Sequence, residues 1–225
     1  MATDTAQNRQ ALRFLLLYAL AVAGGAIAYV PFLTILLPIA VTEMVGESDV
    51  TWLAYATFIG AIGASLANIG FGWLSDRTRT RKPWIVAGLF LSSAMLISFG
   101  HLDSIVWVIV LLFLWQLGLN MMLSPLAAWA GDSVPDKQKG LLGGLLAFAP
   151  AAGALSATVV TIPGLAGPEA RLWLVAALVA ACVLPALLFG RPRPFPELMD
   201  EDRVAPRAAG VPLFTHRMMI VRMWL

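Results

Sequence analysis

The stretch GWLSDRTRTRKPWIVAG, residues 72–88, sets one acid and four cations, Asp76, Arg77, Arg79, Arg81 and Lys82, between two long apolar runs. So short a connection needs a reason for that much charge, and the reason decides what the flanking runs are. The 225-residue chain is 60% hydrophobic and 12% charged, about half the charged fraction of an ordinary soluble domain. A mean hydropathy of +0.82 implies that much of the surface meets lipid rather than water.

On either side of the charged stretch, six segments approach or exceed the roughly 20 apolar residues that cross a bilayer. They are 14–41, 51–74, 83–100, 105–130, 141–162 and 172–190, and none carries an ionisable side chain in its interior. The first is longer than one crossing needs, and Pro31 and Pro38 predict a kink or a tilt. It is too long for a signal peptide's apolar region and no cleavage-like site follows, so it reads as a retained span. The predicted organisation is a tail at 1–13, a six-helix transmembrane bundle at 14–190 and a Pro- and charge-rich linker at 191–212. Residues 213–225 read either as an amphipathic surface helix or as the start of a seventh, truncated span.

The cations alternate between connections. Arg9 and Arg13 precede the first span, whereas the 42–50 connection is acidic, with Glu43, Glu47 and Asp49. The opening stretch is basic, 101–104 has no Lys or Arg, and Lys137 and Lys139 follow the fourth span. Of the 15 Lys and Arg residues, only Arg171 breaks the alternation. Cytoplasmic connections are enriched in Lys and Arg, so both termini are expected in the cytoplasm of a multi-pass protein of the inner or plasma membrane. Topology also accounts for the pI near 9.0, so no nucleic-acid partner is implied. Trp52, Trp73, Trp84, Trp107, Trp129 and Trp173 fall near span ends, at headgroup level.

Chemistry inside the spans is sparse. Cys182 is the single cysteine, and His101 and His216 stand far apart, so neither a disulfide nor a metal site is expected. No HExxH helix, Gly-x-Ser-x-Gly elbow or Walker-type loop is present, so no cofactor and no enzymatic activity are expected. Ala56, Gly60, Ala64, Asn68 and Gly72 recur every four residues in the second span, a stripe that lets a neighbouring helix approach closely. In the fourth span Gln116, Asn120 and Ser124 share one face beside Trp115. An amide at that depth must find a partner or water, so these residues either bond between helices or line a path for a small polar solute. Tyr29, in the middle of the first span, is a further candidate for that path.

Six spans and a basic G-W-L-S-D-R-T connection, with Gly72, Ser75, Asp76 and Arg77 followed by Arg81 and Lys82, resemble the amino-terminal half of a major facilitator superfamily transporter. The wording SDRTRTR…PWI is most similar to sugar–cation symporters of the glycoside-pentoside-hexuronide type, and GDSVPDKQKG at 131–140 is similar to their connection between spans four and five. The glycine that the family places two residues after the loop arginine is absent, and Arg79 stands there. The resemblance implies that Asp76 caps a helix of an opposing half, that Arg77 pairs with Asp132, and that Gly72 belongs to the same gate. It further implies transport of a small polar solute, a sugar among the candidates, by half of a twelve-helix fold. The missing half would come from a split or truncated gene or from a second copy of the chain. The alternative is a non-transporting six-helix scaffold that binds a partner membrane protein.

Overall fold

The computed structural model describes residues 9–193, which are helical apart from short connections. The expectations for 1–8 and 194–225, including most of the linker and all of the 213–225 segment, lie outside the described residues.

The first span runs from Leu12 to Val45 as α1 (Leu12–Pro31), a wide π-helical turn (Phe32–Leu36) and α2 (Leu37–Val45). The kink or tilt expected from Pro31 and Pro38 takes this form: the wide turn lies between them, and Pro38 has no N–H to give the Thr34 carbonyl. The Thr34 hydroxyl donates to the Val30 carbonyl at 2.6 Å, and the Leu37 N–H reaches back to Phe32. The second span, α3 (Asp49–Thr78), outruns its predicted end at 74, so Asp76 and Arg77 are helical rather than in a loop. Arg79 to Arg81 alone connect it to α4 (Lys82–Ser98), and the third span continues to His101.

The fourth span is α5 (Ile105–Ser133). The fifth was expected as one run over 141–162 but divides into α6 (Asp136–Leu146) and α7 (Ala149–Val160). Pro150 has no N–H to give the Leu146 carbonyl, so Ala147 and Phe148 form a turn before the helical ladder resumes. The sixth span is α8 (Pro168–Phe189), opened by its own proline, whose missing N–H costs nothing at a first turn.

The packing follows a simple rule. Helices α3 and α4 pack along α5, just as α7 and α8 pack along α1. α4 also touches α8, and α1 touches α5. Exchanging spans one to three with spans four to six therefore leaves the pattern unchanged. A repeat of three spans is odd, so the second set crosses in the opposite sense to the first, an inverted repeat.

Contacts replace hydrophobic drive where lipid is the solvent. Gly118 is where α5 meets α4: a Cβ there would stand 2.9 Å from the Ser92 backbone nitrogen and 3.1 Å from Leu91 Cγ. The buried small residues of α3 are Ala56, Gly60, Gly63 and Ala67, so the expected stripe of Ala56, Gly60, Ala64, Asn68 and Gly72 is buried only at its first two members. A 3.6-residue turn drifts away from a strict spacing of four, which leaves Asn68 exposed.

Candidate functional site

Helix α3 ends because Arg79 adopts a left-handed conformation (φ 54°, ψ 24°), the position where helices commonly take glycine. The reversal brings Arg81 back beneath its own helix. Its Nη1 bonds Asp76 Oδ1 at 2.5 Å and Ser75 Oγ at 2.7 Å, and its Nε donates to Asp132 Oδ2 at 2.8 Å. The Arg81 side chain is 15% exposed, while Asp76 and Asp132 are 63% and 49% exposed. Burial opposes the guanidinium charge, but the hydrogen bonds and attraction of Asp132 and Asp76 outweigh it and raise its pKa above the ordinary arginine value.

Asp132 was expected to pair with Arg77, and the structure gives it Arg81 instead. Arg77 is four residues past Trp73 on the same helix, and its guanidinium lies 5.3 Å over that ring. Asp76 sits in the last turn of α3, the negative end of the helix dipole, which Arg81 offsets. Its second oxygen makes no bond among the described residues. Gly72 is one turn deeper, where a Cβ would come 2.8 Å from Ser124 Oγ. It sets how closely α3 approaches α5 below the charged cluster.

Further ties at this end were invisible in the sequence. Lys82, expected as a topology charge and as part of the family's basic motif, has its Nζ donating to the carbonyls of Leu187 (3.0 Å) and Gly190 (2.9 Å), capping the C-terminus of α8. It lies 5.4 Å over Trp129, which joins Phe14 and Tyr18 in an aromatic cluster. The Tyr18 hydroxyl donates to the Leu126 carbonyl at 3.1 Å and so links α1 to α5. Gln10 and Gln138 pair through their amides. The Gln10 backbone N–H donates to Gln138 Oε1 at 2.5 Å, and Gln138 Nε2 donates to the Gln10 carbonyl at 3.2 Å. Gln10 Nε2 also reaches the Ser133 carbonyl at 2.8 Å, and its Oε1 accepts from the Arg193 N–H at 2.9 Å. Every connection at this end is thereby cross-tied to another span.

Deeper in the bundle an amide seam joins α3 to α5. Asn120 Nδ2 donates to the Gln116 carbonyl at 3.0 Å, and Asn68 Nδ2 donates to Asn120 Oδ1 at 3.4 Å. The Ser124 hydroxyl closes onto the Asn68 carbonyl at 2.8 Å. Asn120 is buried and bonded, Gln116 is half-buried, and Asn68 is exposed. In the sequence Asn68 is marked only by its place in a small-residue stripe. Trp115 is wholly buried, edge-on to Phe32 with ring centroids 4.9 Å apart, so it backs the seam rather than standing at an open surface. Tyr29 is 38% exposed on α1 and is not part of the seam.

No curated protein matches the chain. The family model of the Major Facilitator Superfamily matches residues 5–168, about three quarters of the sequence. With six helices long and apolar enough to cross a membrane and no strand among the described residues, the chain belongs to the Major Facilitator Superfamily as a multi-pass membrane protein of the facilitator type.

Proposed function

We propose that this six-helix unit moves a small polar solute, with sugars the first candidates, by rocking against a second six-helix unit. That second unit is supplied by further sequence, a separate chain or another copy. The observation that carries the reading is the amide seam. Gln116 and Asn68 hold hydrogen-bonding groups open at the mid-depth of lipid-soluble helices, where an amide needs water or a polar ligand. Gln116, Asn120, Asn68 and Tyr29 line the path in this reading, with Trp115 as its rigid backing. A cation coupled to transport would be held by the opposing unit, because no acid stands inside these six spans.

The basic end faces the cytoplasm of the inner or plasma membrane in this proposal, supported by the alternation of Lys and Arg. Asp76, Arg77, Asp132 and Gly72 form its gate, with Arg81 added as the cation that binds both acids. The open oxygen of Asp76 is the group offered to a helix N-terminus of the opposing unit, an interaction worth about 0.3–1 kcal/mol.

The test is uptake of a panel of labelled sugars and polyols into membrane vesicles carrying the protein. Gln116→Leu with Asn120→Leu should abolish uptake while leaving expression and monodispersity intact. Asn120 is already satisfied by helix-to-helix bonds, which favours the second reading, a scaffold for a partner membrane protein. Retained uptake in the double variant refutes the seam as the path, whereas no uptake even with a second six-helix unit co-expressed decides for the scaffold.

A further inference from the structure

At the end of the bundle opposite the charged cluster, the first, third, fourth and sixth spans enclose a cavity of about 300 Å3. Its depth is apolar, lined by Phe32, Phe99 and Val108, and its rim carries Glu43, Glu169 and Arg171. Glu43 is in the last turn of α2, and Glu169 and Arg171 are in the first turn of α8, so the charges stand where the spans leave the hydrocarbon. Phe32 is eleven residues inward from Glu43, roughly 16 Å at the helical rise.

These charges are unspent. Arg171 Nε is buried without a hydrogen-bond partner, and its guanidinium makes no ion pair among the described residues. Glu43 and Glu169 are likewise unpaired there. Gly100 makes room for Glu169, whose Cγ would be 3.1 Å from a Cβ at that glycine. Arg171 is also the one cation that breaks the alternation of Lys and Arg between connections. A positive charge on this side works against the topology signal and so has another use.

We propose that this cavity holds a phospholipid with a phosphoethanolamine headgroup. The phosphate takes the Arg171 guanidinium, the ammonium takes Glu43 and Glu169, and the first part of an acyl chain fills the space between Phe32, Phe99 and Val108. One cation against two carboxylates leaves the rim net negative, which selects against a lipid carrying only negative charge. A primary ammonium has three N–H donors for the two carboxylates, whereas a choline headgroup has none. The apolar depth beneath a charged rim at the bilayer boundary fits an amphipathic ligand better than a soluble phosphate.

The experiment is native mass spectrometry of the detergent-purified chain titrated with palmitoyl-oleoyl lipids bearing ethanolamine, choline or glycerol headgroups, and with free phosphoethanolamine. The ethanolamine lipid should be retained about ten-fold better than the other two, the scale set by one charge-assisted contact. Glu43→Gln should erase that preference, whereas Arg171→Gln, which removes the phosphate contact common to all three lipids, should weaken their retention together. Ala40→Leu, which fills the groove and keeps the charges, should weaken all three lipids together. Should Arg171→Gln fail to purify as a single species, the exposed Glu43→Gln decides alone. Equal retention of the three lipids, a preference for the glycerol headgroup, or displacement of the lipid by equimolar free phosphoethanolamine would overturn the proposal.

Discussion

Replacing Arg79 with glycine should stabilise the protein, although it deletes a charge from the most basic connection. At φ 54° the Cβ of an L-residue crowds its own backbone, at a cost of about 1–2 kcal/mol. The left-handed turn is nonetheless kept, because it closes α3 through the Arg79 N–H to the Asp76 carbonyl at 3.2 Å and aims Arg81 at both acids. Glycine removes the crowding but adds freedom to the unfolded chain, which gives back about 0.5–1 kcal/mol. The Arg79 side chain is exposed and makes no bond among the described residues, so nothing else is lost there. The net gain is roughly 0.5–1 kcal/mol, a rise of about 1–4 °C in Tm for a bundle of this size. Thermal unfolding in detergent, followed by tryptophan fluorescence, measures it directly. Arg79→Ala is the decisive control, since it removes the same charge but keeps a Cβ, and it should give no rise. If alanine stabilises as much as glycine, relief of repulsion among the cations is the cause and the backbone argument fails.

Lys82→Met should lower Tm by several degrees in the same assay. It removes a cation from two terminal carbonyls of α8, a loss of roughly 1–3 kcal/mol, and an unchanged midpoint would show that the cap is idle. Gly118→Ile should cost about 1–3 kcal/mol by forcing α5 away from Ser92 and Leu91, whereas Gly131→Ala, whose added Cβ meets nothing, should hold or slightly raise the midpoint. Gln138→Ala leaves the buried Gln10 amide without its acceptor, and hydrogen exchange at Gln10 should quicken by at least about ten-fold if that bond closes the chain entry.

The six crossings were legible in the sequence because an apolar run of some 20 residues without charge has few other uses. Their ends were not, because a helix does not stop where hydrophobicity stops: Ser75 to Thr78 are polar or charged and still helical. The acids of the charged cluster, Asp76 and Asp132, stand out in the sequence by residue type, but the cation that binds both, Arg81, does not. Which arginine reaches Asp132 depends on the handedness of one backbone position, Arg79, and composition carries no trace of that. The four-residue spacing of Gln116, Asn120 and Ser124 announced a polar face, whereas Asn68 was hidden among alanines and glycines of similar size. Gln10 and Gln138 lay in segments read as tail and loop, and their pairing joins positions 128 residues apart.

The wide turn at Phe32–Leu36 bears on how the first span is phased. Inward-facing positions advance from Gly24 to Ala28 to Phe32 in fours, then jump five to Leu37 before resuming at Val41. The extra residue in that turn is what keeps Leu37 and Val41 in line with the stripe before them. If the turn tightened to ordinary α-helical winding, everything outward of it would rotate by about 100° about the helix axis. Leu37 and Val41 would leave the core, and Glu43 would leave the rim of the cavity it shares with Arg171. The winding of one turn thus sets whether the outer third of this helix belongs to the bundle or to its surroundings.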